Sequence, residues 1–171
     1  MRMAKQFAVI LGLALVASAA SAQTSGNVNI SANVAAACTI TANPLAFGTY
    51  NSLSTTALRQ NSSVSITCVQ GAVASISMGP GNFLDTAQRR MSNGAAGFLN
   101  YSLFKPVSAT AGAACAYTAS WGNGGAVGTV LVTTAATDLN ARTYNVCGEI
   151  PPGQNAPVAS YTDVVAATVT F

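Results

Sequence analysis

The sequence predicts an all-β domain folded as a sandwich of the immunoglobulin type. Three observations carry that expectation. Apolar and polar residues alternate with a period of two through several short segments, the mark of half-buried strands. Glycine and proline clusters separate those segments at intervals suited to a sandwich. Only residues 84–91 and 134–139 have the pattern of a helical turn, and both are short.

The chain opens on a leader. Arg2 and Lys5 form a positive n-region, residues 7–17 are uninterrupted apolar, and Ala20-Ser21-Ala22 supplies the small-x-small pattern of a cleavage site, which together predict a signal peptide over residues 1–22. A membrane anchor needs roughly 20 apolar residues, and this run is shorter, with Ser18 and Ser21 interrupting its end. The first cysteine, Cys38, lies well beyond the apolar run, so no lipid attachment point follows it. The expected organisation is a leader at 1–22, an N-terminal extension at 23–36 and a single domain at 37–171, the roughly 150 residues that follow the leader being enough for one core.

Residues 27–36 begin the strand pattern. Val28, Ile30, Ala32, Val34 and Ala36 fall on one side, with Asn27, Asn29, Ser31, Asn33 and Ala35 on the other. Cys38-Thr39-Ile40-Thr41 follows, then a turn at Pro44 and the run Phe47-Gly48-Thr49-Tyr50. Residues 63–69 alternate again, with Val64, Ile66 and Cys68 on one face, and residues 73–78 form a less regular strand that ends at Gly79-Pro80-Gly81-Asn82. Further strands are expected at 98–104, 129–133, 142–150 and 162–171. Ser92-Asn93-Gly94, Gly122-Asn123-Gly124-Gly125 and Pro151-Pro152-Gly153-Gln154-Asn155 punctuate them as turns.

Charge excludes several function classes. Lys and Arg number 7 and Asp and Glu 4, and removal of Arg2 and Lys5 with the leader leaves 5 basic against 4 acidic residues. That balance gives no electrostatic footprint for nucleic acid. Charged residues make up 6% of the chain where about a quarter is usual, so Ser, Thr, Asn and Gln must solvate the surface.

The residues of common active sites are equally sparse. There is no histidine, which removes the Ser-His and Cys-His pairs of nucleophilic catalysis and, with no C-x-x-C pair, the usual zinc sets. Asp85, Asp138, Glu149 and Asp163 stand far apart in sequence and suit structural tasks: Asp85 pairing with Arg89, Asp138 starting a turn, Glu149 preceding the Pro-Pro turn. Residues 122–125 fail as a phosphate loop because Val127 occupies the place of the last glycine and no helix pattern follows. Trp121 and Tyr117 suit packing better than a sugar site. No enzyme activity, cofactor, metal, nucleic acid or small-molecule substrate is expected. Cys38, Cys68, Cys115 and Cys147 form an even set in an exported chain, which points to two disulfides with three possible connectivities.

The residues also carry a family resemblance. Cys38-Thr39-Ile40 with Phe47-Gly48, the run Leu99-Asn100-Tyr101-Ser102-Leu103-Phe104, Trp121-Gly122, Gly148-Glu149-Ile150-Pro151-Pro152-Gly153-Gln154 and the ending from Tyr161-Thr162-Asp163 to Phe171 resemble the spore coat protein U domain family, itself similar to subunits of archaic chaperone-usher pili. Cys147 stands where the family pattern leads one to expect an aromatic residue. The resemblance implies an incomplete immunoglobulin-like sandwich that lacks its last strand, and the chain stops at Phe171 inside a strand pattern. It implies that Val28, Ile30, Ala32, Val34 and Ala36 form a donor strand for the next subunit, and that Val165, Ala167, Val169 and Phe171 form the C-terminal strand held by a chaperone. With chain order, it favours pairing Cys38 with Cys68 and Cys115 with Cys147. The implied partners are neighbouring pilus subunits, a periplasmic chaperone and an outer-membrane usher, on a route through the periplasm to the cell surface, with roles in adhesion and biofilm formation. The residues alone fit equally well a self-contained secreted coat or binding protein whose segment 26–36 pairs within its own sheet.

Overall fold

Strands form in this chain wherever an alternating segment finds a neighbour to accept its N–H and C=O groups. The computed structural model describes residues 23–171; the expected leader at 1–22 lies outside them. The chain divides into two units, residues 1–33 and 34–171. In the first, residues 23–33 carry no strand and are exposed, Val28 at 84% and Ile30 at 90%. In the second, residues 34–37 are also exposed and without regular structure. The strand expected at 27–36 is therefore absent from the chain's own sheets, because alternation alone supplies no hydrogen-bond partner.

Nine strands follow among the described residues: β1 (Cys38–Ala42), β2 (Leu58–Cys68), β3 (Ser75–Met78), β4 (Arg89–Ser92), β5 (Phe98–Pro106), β6 (Cys115–Ser120), β7 (Leu131–Val132), β8 (Arg142–Ile150) and β9 (Ala167–Thr170). One sheet has the order β1-β2-β8-β5-β4, with β6 also on β5, and the other has the order β7-β3-β9. All named strand pairs are antiparallel. The fold is an all-β sandwich whose sheets share one core. Val64, Ile66, Tyr144 and Ile150 from the larger sheet meet Ile76 and Met78 from the smaller one, all buried. Trp121 is fully buried, its backbone amide donating to Leu103 O at 2.8 Å and its side-chain Nε1 to Ile76 O at 2.9 Å, so one residue ties β5 to β3.

Several expectations are corrected. Residues 84–91 form no helical turn. Asp85 and Gln88 exchange backbone hydrogen bonds of 2.9 and 2.8 Å around a two-residue hairpin, with Thr86 at φ 55°. That conformation usually recruits glycine, so threonine hid the turn. Residues 134–139 are likewise not helical. Arg89, expected to pair with Asp85, turns into the core, and Arg90 makes that salt bridge at 3.1 Å. β2 begins at Leu58 rather than at residue 63, its polar first half masked by side chains with local tasks, such as Ser62, whose Oγ donates to Asn43 O at 2.8 Å and to Pro44 O at 2.9 Å. The strand expected at 129–133 shrinks to β7, that at 162–171 to β9, and Phe47-Gly48-Thr49-Tyr50 is irregular.

Disulfides join Cys38 to Cys68 and Cys115 to Cys147. The first clamps β1 to β2 at a directly paired position. The second ties β6 to β8, beside a cluster on the outer face in which the Arg59 guanidinium lies 4.4 Å from the Tyr117 ring centroid and its Nε 2.6 Å from Glu149 Oε2. Tyr117 stands at φ 56° and donates to Asn61 Oδ1 at 2.6 Å.

Candidate assembly groove

β1 and β9 are edge strands, one in each sheet, and they lie beside one another. An edge strand keeps one row of backbone N–H and C=O groups unpaired, a template for another strand. Beyond β1 the chain leaves the sheet for an identifiable reason. The ladder of β1 ends with Asn43 N donating to Ser63 O at 2.9 Å, since Pro44 has no N–H to continue it. Leu45 and Phe47 then pack against the inner face of β8 at Gly148, where an added Cβ would collide with both side chains. Glycine at 148 is the condition for that close approach.

The opposite wall is the C-terminal segment. Thr162 exchanges two backbone hydrogen bonds of 2.9 Å with Ser92 at the end of β4, and four residues later Gly79 N donates to Ala166 O at 2.8 Å. The chain therefore steps from one sheet to the other between Thr162 and Ala166. Val165, Ala167 and Val169 are half-buried, whereas Val164 and Phe171 are exposed.

Between the walls lies a cavity of about 550 Å³ whose floor includes Met78, Tyr101, Leu103 and Val146. A second cavity of about 690 Å³ shares Leu45, Phe47, Met91 and Tyr161 with it and continues past Tyr50 and Ile150 to the loop at 156–160. Together they form one groove: the first cavity is mostly apolar and reaches β1 at Ala42 and β9 at Ala167, and the second, polar and apolar in about equal measure, lies beyond both edge strands.

Polar groups in the groove are satisfied. Asp163, at the step between sheets, accepts from Asn82 N and Val164 N through Oδ1, both at 2.8 Å, and from the Tyr101 hydroxyl through Oδ2 at 2.5 Å. Burial first, then the hydrogen bond to Asp163 and its charge, push the Tyr101 phenol far above its ordinary range, so it stays a donor. Arg89 is buried and donates to Met78 O, Gly79 O and Trp121 O at 2.7–3.0 Å. Burial lowers its pKa, and the nearby Tyr101 and Asp163 oppose that shift. Together these groups hold the end of β3, the start of the C-terminal segment and the core of β5 in one arrangement.

The far half of the groove is organised by the loop after β8. Continuing the β5·β8 register from Ser102↔Glu149 brings Pro151 opposite Asn100, and proline cannot donate to a ladder. The Gln154 side chain takes over: its Oε1 accepts from Asn100 N at 2.7 Å and its Nε2 donates to Asn100 O at 3.0 Å and to Pro151 O at 3.2 Å. The Tyr50 hydroxyl donates to Pro151 O at 3.0 Å and accepts from Gln154 N at 2.9 Å.

Of the residues singled out in sequence, the structure places Val165 and Ala167 on the lining of the first cavity and Val169 on β9, half-buried but outside that lining, and leaves Phe171 as well as Val28, Ile30, Ala32, Val34 and Ala36 exposed, the last five outside every sheet. Sequence gives Arg89 and Asp163 no site role, because what they meet, carbonyls of Met78, Gly79 and Trp121 for Arg89 and a phenol 62 residues away for Asp163, leaves no local pattern. Gln154 and Asp163 do belong to the family-like runs at 148–154 and 161–171, the one available signal. No cluster of three His, Cys, Asp or Glu side chains suited to a metal occurs among the described residues.

Comparison with known proteins agrees with this architecture. The Spore Coat Protein U domain matches residues 24–168. Protein U of Myxococcus xanthus is 31% identical over 169 residues, covering 90% of this chain and 88% of that protein. Among solved structures, a chain in the CsuC-CsuE chaperone-tip adhesion subunit pre-assembly complex, from archaic chaperone-usher Csu pili of Acinetobacter baumannii, superposes with a TM-score of 0.57 at 25% identity. That match covers 81% of this chain and 40% of the solved one, so this chain spans less than half the length of that structure.

Proposed function

The chain belongs to the Spore Coat Protein U domain family, and on that premise we propose that it is an exported pilus subunit that polymerises by donating its N-terminal segment to the groove of a neighbouring copy. The observation that carries this reading is the pairing of two unsatisfied features in one chain. Val28, Ile30 and Val34 alternate on an exposed segment, while β1 and β9 leave open edges over an apolar groove. Strand addition satisfies both, with main-chain hydrogen bonds supplying affinity and alternate side chains filling the cavities. Burial of Val28, Ile30 and Val34 contributes roughly 5 to 9 kcal/mol by area arithmetic, before the ladder is counted.

Before assembly the same groove needs a temporary partner. A periplasmic chaperone that covers the groove along Val165, Ala167, Val169 and Phe171, and an outer-membrane usher where the donor strand replaces it, fit an exposed apolar wall that would otherwise aggregate. Likeness to a chain of a chaperone-tip adhesion subunit complex supports that partner class. The assembled fibre lies at the cell surface and serves adhesion and biofilm formation.

Deletion of residues 24–34 followed by electron microscopy of the purified, oxidised protein tests the reading. Loss of fibres with the domain still folded is the expected result, and fibres formed by the shortened chain overturn it. A full chain that remains a soluble, cooperatively folded monomer also overturns it, in favour of a self-contained coat or binding domain.

A further inference from the structure

The loop after β8 forms the far wall of the groove; Ala156 and Tyr161 pack against the core, but its hydrogen bonds to the rest of the domain are few. Val158 is fully exposed, and residues 155, 157 and 159 are exposed as well. From Pro151 to Ala156 each hydrogen bond to another element runs through Gln154 or the Tyr50 hydroxyl. Beyond it, Tyr161 holds Pro157 O at 2.8 Å, a bond internal to the segment. Nothing in that stretch is a strand.

The ladder explains why a side chain does this work. Pro151 removes the N–H that the C=O of Asn100 would otherwise receive, and the chain then turns away from β5. The Gln154 carboxamide presents one donor and one acceptor in the same plane, as a peptide group does, and meets both Asn100 N and Asn100 O. It acts as a one-residue continuation of β8 on a chain that has already left the sheet. Because Tyr50 lies on the opposite wall of the second cavity and is bonded to Pro151 O and Gln154 N, the same network sets the spacing of both walls.

We infer that Gln154, with the Tyr50 hydroxyl, is a positioning residue that pre-forms the second cavity for the far end of the incoming donor strand. This rests on the donor-strand reading and deepens it: the first cavity is framed by strands and the Asp163 network, whereas one wall of the second follows a segment tied to β5 through Gln154. A donor residue seated in the second cavity gains from walls already in place, the general benefit of pre-organisation. Gln154 touches Asn100 and Pro151, not the donor.

The test uses the full oxidised chain carrying Ile30→Asp and Val34→Asp, so that its own extension no longer plugs a groove, and measures binding of synthetic peptides with the sequences of residues 24–36, 24–32 and 28–36. In this background the 24–36 peptide binds, and adding Gln154→Ala weakens it about tenfold, the size expected when two hydrogen bonds that hold a wall are lost. The penalty persists for one shortened peptide and disappears for the other, the one that lacks the residues reaching the second cavity. Gln154→Glu keeps the length and the acceptor but loses the donor to Asn100 O, and it acts in the same direction. Tyr50→Phe, which removes one hydroxyl, weakens the long peptide about fivefold and carries the test if Gln154→Ala does not fold. An equal penalty on all three peptides marks a general loss of stability and overturns the inference, as does no penalty on any. If the 24–36 peptide does not bind the background chain at all, the donor-strand reading itself fails, a result distinct from either.

Discussion

The hydroxyl of Tyr101 on β5 donates to Asp163 Oδ2 at 2.5 Å, across 62 residues of sequence. The contact sits where the C-terminal segment steps between sheets, and it aligns that segment as a groove wall. Asp163 also accepts from the backbone at Asn82 and Val164, so one carboxylate fixes three pieces of chain that share no strand pairing.

Alkaline pH should weaken the fold through this contact. The native phenol keeps its proton well above the ordinary value of 10.0, so above that pH the unfolded chain has released a proton that the folded chain still binds, and stability falls as pH rises. Urea unfolding between about pH 8 and 11 should show wild-type stability declining above about pH 10. Tyr101→Phe should be about 1–3 kcal/mol less stable at neutral pH, having orphaned a carboxylate oxygen, and should lose that part of the alkaline slope. Identical slopes in the two proteins would sink the assignment.

Substitutions in the N-terminal extension should separate assembly from folding. Val28, Ile30 and Val34 are exposed, and exposed sites usually shift stability by no more than about 0.5 kcal/mol. Ile30→Asp with Val34→Asp should therefore abolish fibres in electron micrographs while leaving the thermal transition nearly unchanged. Retention of fibres would count against donation.

A side chain at 148 should displace Leu45 and Phe47. A Cβ there meets Leu45 and Phe47, and overpacking of this kind costs about 1–3 kcal/mol. Gly148→Ala should lower the unfolding midpoint in denaturant. Because Leu45 and Phe47 line both cavities, it should also slow capture of a 24–36 peptide.

The two disulfides should differ in their effect on the groove. They close sequence separations of 30 and 32 residues, for which chain-entropy models give similar stabilisation of about 3 to 4 kcal/mol each. Cys38 belongs to β1, a groove edge, whereas Cys115 and Cys147 join β6 to β8, neither of them a groove edge. Paired serine substitutions at 38 and 68 should impair both stability and peptide capture; those at 115 and 147 should lower stability alone. Calorimetry and peptide binding on the same samples distinguish the two.

Strand segments were readable from sequence where one face is buried against the core. Residues 98–104 and 142–150 alternate because β5 and β8 lie in the larger sheet with Leu99, Tyr101 and Leu103, and Tyr144, Val146 and Ile150, turned inward. The expectation failed where a residue serves a task other than the period: Thr86 in a left-handed turn, Ser62 bonding to carbonyls across the sheet edge, and β6, whose outer positions are pinned by Arg59 and Asn61. Arg89 illustrates the same limit, since nothing local distinguishes a guanidinium that seals three carbonyls from one that pairs with a surface acid.

By itself, the sequence determined the class of fold, the turns marked by glycine and proline, the near absence of catalytic chemistry, and an alternating N-terminal segment rich in small and β-branched residues. These are consequences of composition and of a period of two, which act over a few residues. Only the tertiary structure decided that this segment has no partner in the chain's own sheets, that β1 and β9 are the open edges, and that Asp163, Gly148 and Gln154 shape the space between them. Those facts depend on contacts across many residues of sequence, where burial and hydrogen bonding act through space and leave no local pattern to read.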